Sequence, residues 1–133
     1  MITYAQEERL RAQDFAELLR ASGLAERRPT ELARLDAMLR GAQIVVTARA
    51  GGQLVGLARS ITDWAYCLYC SDLCVARSHQ GQGIGKALLD HTAQAAPQVR
   101  TCLLLSAPDA EGFYDHAGYA RHAGAFVFAR RAE

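Results

Sequence analysis

The glycine-rich stretch at residues 80–86 reads Gln80-Gly81-Gln82-Gly83-Ile84-Gly85-Lys86. It follows an extended-looking segment, residues 69–75, and leads directly into the helix-forming run of residues 86–90. Glycine permits positive φ angles and lets a ligand approach the backbone closely. The first amides of a helix have no internal partner, and the helix dipole adds partial positive charge at that end. The arrangement therefore predicts a backbone cradle for a phosphate or pyrophosphate group.

Two other phosphate-binding loops fit this stretch poorly. A Walker A loop needs G-x-x-x-x-G-K-[ST], and Ala87 stands where a serine or threonine would hold magnesium. A dinucleotide fingerprint needs G-x-G-x-x-G near the start of a βαβ unit, whereas these glycines alternate in the second half of the chain. On the loop alone, a plain structural turn stays open as an alternative.

A longer pattern distinguishes between these readings. The strand segment Asp72-Leu73-Cys74-Val75, taken with residues 80–89, resembles the acetyl-CoA-binding motif of the GNAT N-acetyltransferase superfamily, [R/Q]-x-x-G-x-[G/A] after a hydrophobic strand. A second stretch, Phe113-Tyr114-Asp115-His116-Ala117-Gly118-Tyr119, is similar to the family's F-Y-x-x-x-G-[F/Y]. The two motifs occur in the family's order and at about its separation, so the pair is far more specific than either motif alone.

The bulk properties suit this resemblance. A chain of 133 residues is long enough for one domain with its own core, so we expect residues 1–133 to form a single GNAT-like acetyltransferase domain. The formal net charge of +1 gives no bulk attraction to nucleic acid or membrane. No apolar run approaches the ~20 residues of a membrane span, and no signal peptide is visible at the N-terminus. A cytoplasmic location is the expectation.

Four cysteines raise the question of a metal or redox site: Cys67, Cys70, Cys74 and Cys102. Cys67 and Cys70 form a C-x-x-C, but both fall within one predicted strand, where residues three apart face opposite sides. No second C-x-x-C exists, and neither His79 nor His91 has ligand-like spacing to the first. The pattern favours buried free thiols and predicts no metal.

Periodicity along the chain predicts an α/β (α+β) fold. Predicted helices cover about residues 11–22, 30–40, 84–96 and 108–117, and predicted strands cover 2–4, 43–49, 53–61, 64–75, 101–105, 119–121 and 125–129. This order indicates a mixed, mostly antiparallel sheet of about six to seven strands with about four helices on both faces. The apolar run 101–105 is typical of a strand covered on both sides. The GNAT resemblance implies the same order, with strands 69–75 and 101–105 splayed to hold the pantetheine arm.

The resemblance further implies acetyl-CoA as co-substrate. Main-chain groups of the glycine loop would bind its pyrophosphate, those of Leu73 and Val75 would pair with pantetheine as an added strand does, and the amide of Cys74 or Val75 would face the carbonyl oxygen. The predicted cofactor-binding residues are Leu73, Cys74, Val75, Gln80, Gly81, Gln82, Gly83, Ile84, Gly85 and Lys86.

Two residues are candidates for proton transfer. Tyr114 matches the family tyrosine that lies near the thioester sulfur, and a phenol can protonate a thiolate at neutral pH; a core tyrosine is the alternative. Asp72 is the one carboxylate on its strand, and a β-bulge could turn it toward the acceptor as general base, while simple alternation groups Tyr69 with Ser71, Leu73 and Val75. A structural carboxylate, with the proton leaving through water, is the other reading of Asp72.

The functional expectation is transfer of an acetyl group to a primary amine of a small molecule, directly within a ternary complex. A non-catalytic acetyl-CoA-binding module and a protein or peptide amine acetyltransferase stay open, as does a homodimer. Acceptor specificity should come from residues 23–30 and from the aromatic residues Trp64, Tyr66 and Tyr69. In that loop, Arg27 and Arg28 either attract an acidic acceptor or simply face solvent.

Overall fold

The computed structural model describes residues 1–129. Its helices are α1 (Ala12–Ser22), α2 (Leu32–Gly41), α3 (Ile84–Ala95) and α4 (Glu111–Ala117), and its strands are β1 (Ile2–Gln6), β2 (Ile44–Ala50), β3 (Gln53–Thr62), β4 (Cys67–Val75) and β5 (Thr101–Leu104). Short 3-10 turns lie at Leu24–Arg27, Arg77–His79 and Pro108–Ala110. The four helices and the first five strands confirm the predicted order of elements.

The five strands form one mixed sheet in the order β1-β2-β3-β4-β5. The first four are antiparallel neighbours, and β5 runs parallel to β4. The parallel pairing covers four positions, from Cys67 beside Thr101 to Cys70 beside Leu104, whereas β4 continues to Val75. The expected separation of these two strands is therefore confirmed, and it begins where β5 ends.

The predicted closing hairpin, 119–121 with 125–129, is wrong for the residues described here, so the sheet has five strands instead of six or seven. Arg121 instead binds back onto α4, through Asp115 at 2.6 Å and Glu111 at 2.8 Å. Arg121 therefore lies beside α4. Phe126 and Phe128 stay 87% and 88% exposed, since β propensity alone forms no strand without a partner.

The edge strand β5 also differs from expectation. Its residues Cys102 and Leu103 are exposed, although the apolar run predicted a strand covered on both faces. A two-sided cover requires helices or further strands beside the edge, and within residues 1–129 no sixth strand supplies it. The apolar composition of this run therefore correctly predicts a strand but does not predict that the strand is buried.

A β-bulge interrupts the pairing of β3 with β4. Arg59 pairs with Asp72 but the next residue, Ser60, pairs with Cys70, which leaves Ser71 as an extra residue in β4. Arg59 donates to both the Ser71 hydroxyl and the Asp72 carboxylate, so these two side chains lie on the same side of the sheet. The expected bulge is thus present at the middle of the strand.

The bulge changes which residues share a face. Ile61 lies on the same face of β3 as Arg59, and it pairs with Tyr69, so Tyr69 lies on the face of Asp72. Leu73 faces the other side. The simple alternation that grouped Tyr69 with Leu73 is therefore wrong, because it assumed an unbroken strand.

Helices cover the two faces of the sheet and define the core. Helix α3 lies on one face, where a Cβ built on Gly56 would meet Leu88 at 3.0 Å and Ile84 at 3.2 Å. Helices α1 and α2 lie on the other, where Arg59 donates to the carbonyl of Met38 at 3.3 Å. The largest fully buried apolar side chains come from all three helices and the strands between them: Phe15, Leu19, Leu35, Ile44, Leu57 and Leu88. Within residues 1–129, no helix combines the length and apolarity needed to cross a membrane.

Candidate active site

The glycine loop forms an open backbone cradle at the start of α3. Gly81 and Gly83 have φ angles of +79° and +82°, and a Cβ at either would meet nothing within 4 Å. Gly83 caps α3, and the first helical bond runs from Ala87 to its carbonyl at 3.1 Å. In the described part of the chain, the amides of residues 81–86 donate to no protein acceptor. Unpaired amides, the helix dipole and open space together suit an anionic group.

Side-chain and main-chain contacts hold this loop against β4. The Gln80 amide nitrogen donates to the carbonyl of Val75 at 2.9 Å, and the amide of Ala76 donates to Val55 at 2.8 Å. Because Ala76 bonds to β3, alternation directs the main-chain groups of Leu73 and Val75 away from β3, toward the open side. Gln80 therefore positions the loop beside a free strand edge.

Helix α4 is packed against the first turn of α3. A Cβ built on Gly85 would lie 2.9 Å from Cζ of Phe113, so only glycine allows the aromatic ring to come this close. The Phe113 ring is in turn 4.9 Å from that of Tyr114, edge-on. Phe113 thus packs α4 against α3, and the next residue, Tyr114, lines the cavity.

One cavity of about 1330 Å³ joins these parts. Its walls come from the glycine loop, β4, α4 and the segment between α1 and α2. Of the predicted site residues it is lined by Leu73, Cys74, Val75, Gln80, Gly81, Gly83, Ile84, Gly85, Lys86 and Tyr114. Gln82 and Asp72 are not among its lining residues.

Tyr114 is half-buried in the wall of this cavity. Burial raises the pKa of its hydroxyl to about 12, and the nearby Cys70 and Cys74 sulfurs also act to raise it. The phenol therefore keeps its proton at neutral pH, so it is able to donate that proton to a developing anion.

The two cysteines of β4 that lie near Tyr114 are packed thiols. Burial raises the pKa of Cys70 to about 11 and that of Cys74 to about 12. A thiol that stays protonated is a poor nucleophile. Cys67 and Cys102 are exposed, so the prediction of buried thiols holds for two of the four cysteines. Within residues 1–129, no cluster of three or more histidine, cysteine or acidic side chains has the geometry to hold a metal ion.

Asp72 is fully buried, and its two oxygens are occupied by arginines. Arg28 Nε donates to Oδ1 at 2.5 Å, and Arg59 Nε donates to Oδ2. The bulge turns Tyr69 toward this face instead of turning Asp72 into the cavity. The geometry thus does not bring Asp72 to an acceptor, and it favours the structural carboxylate that the sequence left open.

Arg28 lines the cavity, although its sequence context does not distinguish it from a solvent-facing arginine. It lines the cavity with 21% of its side chain exposed, and it also donates to the carbonyls of Ser71 and Arg27, each at 2.8 Å. Arg27 is exposed. The sequence signal was a pair of arginines before Pro29, which on its own indicates a solvent-facing pair. The partner that changes this reading, Asp72, lies 44 positions away.

The remaining predicted acceptor residues divide. Tyr69 lines the cavity, while Trp64 and Tyr66 are exposed and lie outside its lining. His116 lines the cavity as well, although it is exposed. Of the three aromatic residues expected to contribute to acceptor specificity, Tyr69 is therefore the one that lines the cavity.

Comparison with known protein families identifies the family of this chain. The GNAT acetyltransferase domain family matches residues 41–121, more than half of the chain. The chain belongs to the GNAT family, and its fold is that of a GNAT acetyltransferase.

Solved structures show the same fold. A GNAT family acetyltransferase from Streptococcus pneumoniae has 24% identity and a TM-score of 0.78, and the match covers 99% of this chain and 100% of that one. A ribosomal-protein-alanine N-acetyltransferase from Brucella melitensis has 23% identity and a TM-score of 0.75, over 99% and 100%. An aminoglycoside N-acetyltransferase in complex with CoA has 15% identity and a TM-score of 0.75, over 99% and 96%. At these identities the likeness concerns the fold.

Proposed function

We propose that this protein is an acetyl-CoA-dependent N-acetyltransferase that acetylates a primary amine of a small molecule, directly within a ternary complex. The observation that carries the proposal is the shared cavity, which joins the anion cradle, the free edge of β4 and the Tyr114 hydroxyl. Its volume of about 1330 Å³ leaves room for a coenzyme and an acceptor together. CoA is bound by one structural neighbour, the aminoglycoside N-acetyltransferase.

Binding of the coenzyme would use main-chain groups. The unpaired amides of residues 81–86 suit the pyrophosphate, and Lys86 adds positive charge at the same end. Leu73 and Val75 present main-chain groups on the open side of β4, so a pantetheine arm would pair with them as an additional strand. These contacts depend on backbone geometry and not on side-chain identity.

The chemistry follows from the residues beside that edge. Bound acetyl-CoA supplies a thioester, whose acetyl group passes to the amine nitrogen as the carbon–sulfur bond breaks. The main-chain amide of Val75, on the open side of β4, would donate to the carbonyl oxygen. Tyr114 holds the proton that the leaving sulfur needs. Cys74 keeps its own proton and forms no acyl intermediate.

The amine must lose a proton, and Asp72 is not free to take it. Each of its oxygens already accepts a guanidinium N–H, so we infer that the proton leaves through water in the open cavity. The same observation favours a second candidate function, a module that binds acetyl-CoA without turnover, because a buried carboxylate that is already paired with two arginines is expected to be a poor base.

A thiol-release assay across a panel of amines separates the two functions. For the enzyme we expect CoA release that depends on the amine and saturates with it, together with binding of CoA by calorimetry. Binding without amine-dependent release would favour the regulatory module. No heat with CoA would remove both, because the cradle is common to them.

A further inference from the structure

The cluster of Arg28, Arg59 and Asp72 carries an excess of positive charge beside the cavity. Among residues 1–129, Asp72 is the carboxylate within 4 Å of either guanidinium, so two cations share one anion. Arg59 and Asp72 are buried, and Arg28 is mostly so. A buried charge without a counter-charge is unfavourable, because the interior screens and solvates it poorly.

Arg28 is the member of this cluster that reaches the cavity. Three of its five N–H groups are used, toward Asp72, Ser71 and Arg27, and the described residues offer no partner to the other two. Protein contacts therefore hold the guanidinium in place, and two of its N–H groups have no partner among the described residues. A fixed arginine with spare donors suits a carboxylate, since little conformational entropy is lost on binding.

The position of Arg28 also suits an acceptor. Burial raises the pKa of Cys74 to about 12, and Arg28 lies near enough to lower it in part. Cys74 in turn acts on Tyr114. Arg28 and Tyr114 line the same cavity, so an acceptor held by Arg28 would share that cavity with the proposed acid.

Other charges at this end do not cancel the excess. Glu26 and Arg27 both line the cavity, and both are exposed, so solvent and salt screen them. Arg77 also lines the cavity, and its guanidinium lies against the backbone of Gly23, so it adds a further cation at this end. The net sign at this end of the cavity is positive.

We propose that the acceptor is an amine that also carries a carboxylate, as an amino acid does, and that Arg28 binds the carboxylate. This inference rests on the proposed function and names the substrate class of the same site. Arg28 is then a specificity-determining residue. The carboxylate of the substrate neutralises the excess positive charge of the cluster of Arg28, Arg59 and Asp72.

Amino acids and their carboxamides provide the matched test. The carboxamide lacks the negative charge of the acid, and its amine is less basic, so intrinsic reactivity at pH 8 favours the amide. We expect the wild-type protein to prefer the acids in kcat/KM by at least about 10-fold, the worth of a charge-assisted hydrogen bond. Arg28→Gln should remove this preference and leave CoA affinity unchanged. It should also fold, because Asp72 and Arg59 remain as a balanced pair.

Arg34→Gln is the control, since Arg34 is exposed on α2, has no ion pair among residues 1–129 and is not a lining residue. It should keep the preference. Equal activity on acids and amides, or an equal loss on both in Arg28→Gln, would overturn the inference while leaving an active acetyltransferase. If CoA binds but no amine is acetylated, calorimetry of the amino acids with the CoA complex decides: heat lost in Arg28→Gln supports the carboxylate site, and no heat in the wild type rejects it.

Discussion

The two ends of the cavity are built in different ways. At the coenzyme end, the groups that would bind are main-chain amides from one continuous stretch, residues 81–86. At the acceptor end, the groups are the side chains of Arg28 and Tyr114, which come from separate elements, and Arg28 is held by the buried Asp72, which also binds Arg59. The first end depends on local backbone geometry, and the second depends on how distant segments pack.

This difference has consequences for substitution. At the coenzyme end, a change at the exposed Gln82 leaves the amides in place, whereas a side chain on a glycine with positive φ strains the loop and fills its mouth. At the acceptor end, each side chain has its own charge and partners, so each change alters stability or specificity. Most side-chain substitutions at the coenzyme end should therefore have little effect on coenzyme binding. Substitutions at the acceptor end should change which substrate is bound.

The largest effect is expected from Asp72→Asn at the acceptor end. The neutral amide leaves Arg28 and Arg59 without a counter-charge, which should lower the free energy of unfolding by about 3–5 kcal/mol. Urea denaturation measures this. Asp36→Asn is the control: it removes an exposed pair with Arg40 and should cost less than about 1 kcal/mol. Unchanged stability with lost turnover would instead return Asp72 to the role of general base.

At the coenzyme end, Gly83→Val should weaken CoA binding by about 300-fold or more, as expected for losing two charge-assisted hydrogen bonds. Calorimetry measures the affinity. Gly52→Val is a matched control, because Gly52 has a φ of +87° and open space as Gly83 does, but lies in the β2–β3 turn. Both variants should lose similar stability. Retained affinity in Gly83→Val would show that the cradle is not where CoA binds.

Tyr114→Phe tests the group between the two ends. Loss of the acid should lower kcat by about 100-fold with little change in CoA affinity, within the usual range for general acid catalysis. Steady-state kinetics with a saturating amine measure it. Tyr119→Phe is the control: its hydroxyl is buried without a partner among the described residues and does not line the cavity. Equal rates in the wild type and Tyr114→Phe would assign the proton to water.

The smallest effect is expected from Cys74→Ala. Because the thiol is buried and protonated, its removal should change turnover by less than about 3-fold, while the small cavity lowers the free energy of unfolding by about 1 kcal/mol. Thiol-release kinetics and urea denaturation measure the two effects. A loss of turnover comparable to that of Tyr114→Phe would indicate an acyl-cysteine intermediate in place of direct transfer.

Periodicity and turn residues predicted most of the fold. Helix α3 begins at Ile84 and ends at Ala95, close to the expected 84–96, because both its glycine cap and Pro97 are local signals. The closing hairpin was wrongly predicted, because strand formation also needs a non-local partner. The apolar run of residues 125–129 favours a strand, but among the described residues it pairs with no strand of the sheet, and Arg121 before it binds α4.

The site divides in the same way. The glycines of the loop and the F-Y motif indicated the cradle and Tyr114, and the structure places both in one cavity. The partners of Asp72 were not visible, since they lie 13 and 44 positions away. A one-residue bulge then reversed the face of Tyr69. A local sequence pattern shows neither which distant residues pair with Asp72 nor the register between β3 and β4.

Local chemistry thus determined the glycine cradle, the helices and the family of this protein, because hydrogen-bonding needs and side-chain periodicity act over a few residues. Tertiary packing decided the acceptor end, where a buried carboxylate is shared by two arginines from different elements and one of them reaches the cavity. A backbone binding site is formed by its own segment alone, whereas the effect of a buried charge depends on the neighbouring groups that neutralise it.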